Sequence, residues 1–380
     1  MDYNKLAEEL HLKHHGKIAT ALRDTRTLGR DELSAYYTPG VGHISRLVAD
    51  DPARLRDYTW TNNLVAVVSD GSAVLGLGNI GAAGALPVME GKALLFKYFA
   101  DLDSVPIVLD VHDADSIVAV TRAIAPSFGA INLEDIAAPI CFEVEDRLKA
   151  ELDIPVFHDD QHGTAVVVLA ALLNACRVTG RDMGGLDVVL CGVGAAGTAI
   201  IRLLKQAAPG MRITGIGKQG SLHAGYTPLS APKRKLLDEG LIENRADLSL
   251  ADALVGADVF IGVSAPGLVT TEMVRAMAPD PIIFALSNPT PEIFPADALA
   301  GGAAVVCTGR SDFPNQVNNA LVFPGIFRGA LDNHVRKITD AHKLAAAREL
   351  ASQVPNPTSD RVIPSIFEPD LAYRIASVIV

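Results

Sequence analysis

The chain has 380 residues, more than a single hydrophobic core usually covers, so two domains are expected. Its 33 Lys+Arg against 44 Asp+Glu give a formal net charge of −11, which argues against a nucleic-acid partner or an anionic membrane surface. Hydrophobic content of 49% allows both domains to be well packed, and Cys141, Cys176, Cys191 and Cys307 stand far apart with no C-x-x-C pair, the usage of a reducing compartment.

The first residues, Met1-Asp-Tyr-Asn-Lys-Leu-Ala-Glu-Glu, lack a basic stretch followed by an apolar one, so no secretory signal is visible. The longest apolar run, from Ala165 to Leu173, is less than half of the roughly 20 residues that cross a bilayer. A soluble, cytoplasmic protein with no membrane partner is expected. Up to about Pro155, helical patterns alternate with β-rich runs at 64–69, 73–77 and 106–111, which predicts a small α/β domain over 1–157. From residue 158 the rhythm changes to an apolar helix at 163–179, then strands at 186–191, 211–216, 258–263, 282–286 and 304–308 alternating with helices. That alternation predicts βαβ units, a doubly wound parallel sheet of Rossmann type over 158–380, and one closing helix at 364–380. Ligands of such sheets bind beyond the carboxyl ends of the strands.

The pattern G-x-G-x-x-G occurs twice. Gly192-Val-Gly-Ala-Ala-Gly197 follows a strand and opens an apolar helix, the context of a dinucleotide pyrophosphate site, so Gly192, Gly194, Ala195, Ala196 and Gly197 are candidate cofactor contacts. Ser264 and Asn288, just past later strands, join them. Gly76-Leu-Gly-Asn-Ile-Gly81 leads into Ala82-Ala-Gly-Ala-Leu-Pro87, a poor crossover helix, and reads as a tight turn. Lys92 begins an apolar helix, either as an exposed surface lysine or as a buried one with a depressed pKa suited to proton transfer.

Two carboxylate pairs ask for compensation: Glu134 and Asp135 in an apolar segment, and Asp159 and Asp160 between His158 and His162. Each pair could cap a helix. Together they offer oxygen enough for one divalent cation of the Mg²⁺ or Mn²⁺ type. Both histidines read as structural.

With these residues in view, the sequence resembles a malic enzyme of the short bacterial type. The resemblance runs from Leu28 to Asp332 through Tyr36-Tyr-Thr-Pro-Gly-Val41, Ser69-Asp-Gly-Ser-Ala-Val-Leu-Gly-Leu-Gly-Asn79, Pro87-Val-Met-Glu-Gly-Lys92, Asn132-Leu-Glu-Asp135, His158-Asp-Asp-Gln-His-Gly-Thr164, Phe284-Ala-Leu-Ser-Asn-Pro-Thr290 and Asn318-Asn-Ala-Leu-Val-Phe-Pro-Gly325. It implies oxidative decarboxylation of (S)-malate to pyruvate with NAD or NADP and Mg²⁺ or Mn²⁺, in a homodimer. On the matching positions it implies Tyr37 and Lys92 as catalytic groups and Asp159 as the carboxylate that orients the lysine. Glu134, Asp135 and Asp160 would be the metal ligands, and Asn288 and Asn319 would hold substrate near the nicotinamide. The division of acid and base roles between Tyr37 and Lys92 stays open.

The resemblance has one gap. Larger members carry an arginine for a malate carboxylate where this chain has Ser72 or Ala73, so anchoring must come from elsewhere, such as a backbone amide site or a basic residue of a partner subunit. Near the end of the second strand of the dinucleotide unit, Gly217 stands where an acid for the ribose 2′-hydroxyl is expected. Lys218 follows it, with Lys233, Arg234 and Lys235 farther on, which favours NADP over NAD. A redox-neutral malolactic-type decarboxylase and a noncatalytic dinucleotide-binding regulator are the alternatives.

Overall fold

The computed structural model describes residues 3–25 and 27–380. Two sheets organise the chain. The first contains β1 (Leu64–Ser69), β2 (Asp103–Val108), β3 (Ala130–Leu133) and β4 (Val156–His158), all parallel, in the order β2-β1-β3-β4. The second contains β5 (Asp187–Cys191), β6 (Arg212–Gly217), β7 (Gly220–Ser221), β8 (Val259–Gly262), β9 (Ile282–Ala285) and β10 (Val305–Thr308), in the order β10-β9-β8-β5-β6-β7, with only β7 antiparallel. β1, β3, β8 and β9 are buried along their whole length and β5 from Val188 onward, as strands covered on both faces must be. In each sheet the strand order reverses beside the first strand, between β1 and β3 and between β5 and β8, and the crevice above such a point is where ligands of parallel sheets sit.

The predicted strands appear within a few residues of their expected ends, except at 73–77. There the chain makes a short turn of helix at Leu75–Leu77, and Val74 bridges back to Gly78. The sheet's next strand is β2, not this stretch. Gly76 explains the turn: a Cβ there would lie 2.2 Å from the Asn288 carbonyl oxygen, so two loops from different sheets meet backbone to backbone. The stretch after it corrects the sequence expectation, because the helix starts at Gly81 and runs to Ala100 with Pro87 inside and Lys92 in its middle. Proline removes the partner of the Ala83 carbonyl, but Ala83 is exposed, so water can replace that bond.

The Asp159–Thr179 helix joins the sheets. It is long and apolar enough to cross a membrane, yet most of it is buried in the core. Beyond β10 the chain returns to the first sheet. Phe323 and Phe327, on the Phe323–Asp332 helix, meet Phe96 edge to face at 4.8 and 5.2 Å, and Phe327 also meets Phe157 of β4. Such aromatic edges add stabilisation beyond their buried area. The expected closing helix is shorter than predicted, spanning Leu371–Ala376, because Pro369 and the left-handed Asp370 interrupt the chain before it. It crosses the Phe323–Asp332 helix closely, where a side chain at Gly325 or Gly329 would strike the Ala372 or Ala376 carbonyl. The helices Tyr3–His14, Arg30–Tyr36 and Gly40–Asp50 contain no buried residue.

Candidate active site

The carboxyl edge of the first sheet gathers charge. Asp70 follows β1, Glu134 and Asp135 follow β3, and Asp159 and Asp160 follow β4. Their positions come from the strand ends themselves, so the carboxylates are held by the sheet rather than by flexible loops. One oxygen from each of Glu134, Asp135 and Asp160 lies within 4.8 Å of the others. Asn132 donates to Glu134 at 2.9 Å, and the Asp135 amide donates to Asp160 at 2.7 Å. Burial, then repulsion from Asp160, raises the Glu134 carboxyl well above its ordinary range and Asp135 to about 7.

Lys92 is the only cation inside this cluster among the described residues. Its Nζ lies 2.6 Å from Asp159 Oδ2, 2.9 Å from Glu134 Oε1 and 3.2 Å from Asn319 Oδ1, and it sits over the Phe323 ring at 4.6 Å. Burial pulls the ammonium down, but Asp159, Glu134 and Asp160 outweigh that and hold it above its usual range. Asp159 is completely buried and is raised to about 6, by burial first and against the pull of Lys92. Gly163 makes room for it, since a Cβ there would lie 1.9 Å from Asp159 Oδ1 and 3.0 Å from Asn319 Cβ.

The fit to a divalent cation is good on this geometry. The donor set is all carboxylate oxygen, Asp135 Oδ2 is buried without a partner, and the mutual repulsion of the three groups is what a cation would relieve. The histidines supply none of its three oxygens. His158 is buried with neither ring nitrogen in a hydrogen bond, its Nδ1 3.8 Å from Asp160 Oδ2, and burial lowers its pKa, while His162 faces Glu145 at 2.9 Å. Ser72 is spent on structure: its hydroxyl donates to Asp70 and accepts from the Ala137 amide.

The second sheet contributes bare backbone. Gly192 has φ +103° and lies against Val263 and Ser264, and a Cβ at Gly197 would be 2.2 Å from the Gly192 carbonyl. Gly194 has open space around its missing Cβ, directly before the Ala195–Ala207 helix. One tight turn, one open approach and one close helix packing are what a pyrophosphate turn requires of its three glycines. The amides of Ser264 and Ser287 both donate to Glu292 at 3.0 Å, so one buried carboxylate ties the loops after β8 and β9 together.

A cleft of about 1140 Å³ joins the two edges. Lys92, Glu134, Asp135, Asp160, Ala195, Ala196, Ser264, Asn288 and Asn319 all line it, and Asp159 touches it through Lys92. Gly192, Gly194 and Gly197 do not line it, though Ala195 and Ala196 of the same turn do, and two further expected site residues lie elsewhere. Tyr37 is 67% exposed at the end of the Arg30–Tyr36 helix and does not line the cleft, because the N-terminal helices rest on the surface rather than folding over it. Lys218 is exposed at the β6–β7 turn. Gly217 cannot carry an acid without displacement, since its Cβ would meet the Tyr226 hydroxyl at 2.5 Å. Glu145, Tyr226 and Glu292 escaped the sequence reading, each a single residue with no motif, and Asn132 and Phe323 stand inside quoted motifs without a role until the strand ends are assembled.

Comparison with known proteins agrees with this architecture. Residues 16–149 match the malic enzyme N-terminal domain and residues 161–380 the malic enzyme NAD-binding domain. The chain is 51% identical over 357 residues to the NAD-dependent malic enzyme of Geobacillus stearothermophilus, covering 92% of this chain and 73% of that protein. It is 48% identical to the bifunctional malic/malolactic enzyme of Bacillus subtilis, over 100% of this chain and 92% of the relative. The crystal structure of the NAD-dependent malic enzyme of Thermotoga maritima superposes with a TM-score of 0.93 at 46% identity, covering 98% of both chains. With a lysine among four carboxylates facing a dinucleotide-type glycine turn across one cleft, and with both of its halves matched, this chain belongs to the malic enzyme family.

Proposed function

We propose that the protein catalyses the metal-dependent oxidative decarboxylation of (S)-malate to pyruvate and CO₂ with reduction of NAD or NADP, in the cytoplasm and as a homodimer. The observation that carries this is Lys92, buried between Asp159, Glu134 and Asn319 at the seam between the carboxylate edge and the glycine turn. Glu134, Asp135 and Asp160 would hold Mg²⁺ or Mn²⁺, which would supply Lewis-acid stabilisation of negative charge developing on the substrate. Ala195, Ala196, Ser264 and Asn288 would hold the nicotinamide cofactor, which would supply the acceptor for a hydride from C2.

Lys92 takes the C2 hydroxyl proton. Three groups prepare it: Asp159 and Asn319 fix Nζ by hydrogen bonds, and the Phe323 ring closes one side against water. With a cation held by Glu134, Asp135 and Asp160, the carboxylate field that keeps Lys92 charged would be weaker, and burial would then favour its neutral form. Asn288, from the loop after β9, and Asn319, beside Lys92, orient the substrate. Once the C4 carboxylate has left as CO₂, C3 needs a proton, and Tyr37 provides it. The exposure of Tyr37 and the helices around it in one chain supports the reading that a second copy brings this tyrosine to the cleft.

Lys218 and the neighbouring Lys233, whose charges repel one another, favour NADP because a 2′-phosphate would relieve both. Relatives carry both cofactor names, among them the NADP-dependent malic enzyme of Rhizobium meliloti, 50% identical over 91% of this chain and 45% of that protein. The deciding experiment follows absorbance of the reduced nicotinamide with malate, Mn²⁺ and each cofactor in turn. Pyruvate formation without net reduced cofactor would mean the redox-neutral malolactic reaction instead.

A further inference from the structure

Behind the catalytic cleft lies a second cavity of about 500 Å³, where five helices converge. The Asp159–Thr179 helix turns Asp160 and Thr164 to the cleft and Gln161 and His162 to this cavity. The Ala195–Ala207 helix divides in the same way, with Ala195 and Ala196 toward the cleft and Thr198 and Arg202 toward the cavity. The two spaces are therefore opposite sides of one helical wall. A volume in this range is that of a small-molecule site.

Of the anions lining the cavity among the described residues, Glu145 and Asp340 are engaged and only the exposed Asp146 is not, while its cations are free to take more. Glu145 accepts from the His158 amide at 3.1 Å, from Gln161 at 3.2 Å and from His162 at 2.9 Å, and also pairs with Lys149 at 2.5 Å. Asp340 accepts from Lys343 and Gln206. Lys343, from the Asp340–Ser352 helix, is only 5% exposed, yet Asp340 at 2.9 Å is its one ion-pair partner among the described residues, leaving Nζ protons unused. Its charge is disfavoured by burial and then by Lys149 nearby. Lys235, at the rim, reaches only Glu239 at 3.8 Å, and the buried Thr198 hydroxyl in the wall has no partner. A buried cation with spare donors is costly unless something anionic joins it.

We propose that this cavity is a second ligand site, separate from the catalytic cleft, for a small organic anion bearing a carboxylate or phosphate group that pairs with Lys343. Its occupancy reaches the chemistry through Glu145, which holds the His158 amide immediately before Asp159 and Asp160. The turnover consequence rests on the malate reading; the binding itself does not.

The test uses the full chain with saturating NADP and Mg²⁺, titrated calorimetrically with succinate and, separately, with inorganic phosphate. The two probes distinguish a carboxylate-type from a phosphate-type site. At least one is expected to bind, and at least tenfold more weakly to Lys343→Met and to Lys149→Met; the second variant guards against a folding defect in the first. Absence of binding by both probes, or equal binding to wild type and both variants, overturns the proposal. The binding probe should also change the KM for malate several-fold in wild type and leave that of Lys343→Met unmoved. An equal change in both would put the anion in the cleft and refute a separate site. If the wild type fails to turn over malate, the proposed function falls while the calorimetry still decides the site.

Discussion

The two sheets reverse strand order at equivalent places and open onto the same cleft, but they meet it with opposite chemistry. The edge of the first is built from side chains: Glu134, Asp135, Asp159 and Asp160, crowded until their charges repel, with Lys92 as the one cation among them within the described residues. The edge of the second is built from missing side chains, with Gly192 turning tightly, Gly194 leaving open space and Gly197 packing closely. The difference teaches where each half is vulnerable. Changes in the first edge should damage reaction rate at nearly constant fold, whereas changes in the second should split into effects on stability and effects on cofactor affinity.

The largest expected effect is on the first edge. Chelation of the metal should abolish malate turnover, with Mn²⁺ or Mg²⁺ restoring it, while NADP binding followed by fluorescence stays nearly unchanged. Full turnover in excess chelator would break the contrast outright. Next, Lys92→Ala should cut malate oxidation by about 10²–10⁴-fold, the range for losing a general base; near wild-type rates in steady-state assays would return Lys92 to a structural role. Gly163→Ala sharpens the same point. An exposed helical Gly→Ala change would be expected to stabilise a protein by about 0.4–1 kcal/mol. Here the new methyl must push Asp159 away from Lys92, and kcat should fall by about 10²-fold.

On the second edge the two inner glycines should part company. Gly197→Ala drives a methyl into the Gly192 carbonyl and should cost about 1–3 kcal/mol, read as a lower Tm. Gly194→Ala meets no atom within 4 Å, so Tm should hold while the KM for NADP rises several-fold. If both lower Tm equally, the open space at Gly194 is not a ligand approach. The smallest effect is expected at the far end of the cofactor: Lys218→Ala should lower the preference for NADP over NAD by a few-fold in kcat/KM, and an unchanged ratio would show that this lysine points only to solvent.

Much of this was legible beforehand because it is local. Alternation of apolar runs with Gly and Pro locates the strands, and the glycine turn at 192–197 is recognised by the strand before it and the helix after it. Lys92 was read as the start of a helix because Pro87 looked like a breaker, and only the exposure of Ala83 explains why the helix tolerates it. Nor could spacing reveal that Phe323 would stack on Lys92, 231 residues away by their numbers, or that Tyr226 would fill the space beside Gly217. Tyr37 marks another limit: a motif identifies a residue's kind, but not which face of the chain, or of a second copy, it serves.

The return of the chain after β10 bears on how such proteins can be recombined. Asn319 and Phe323 touch Lys92, and Phe327 anchors to Phe96 and Phe157, so the segment following the last strand belongs physically to the first sheet. A chimera that borrowed a relative's cofactor specificity through one junction near residue 180 would import a foreign lid over its own lysine, with mismatched aromatic contacts. Two junctions, the second just before Asn318, would exchange the glycine turn and the strands around it while keeping the lysine, its asparagine and its aromatic cover from a single parent.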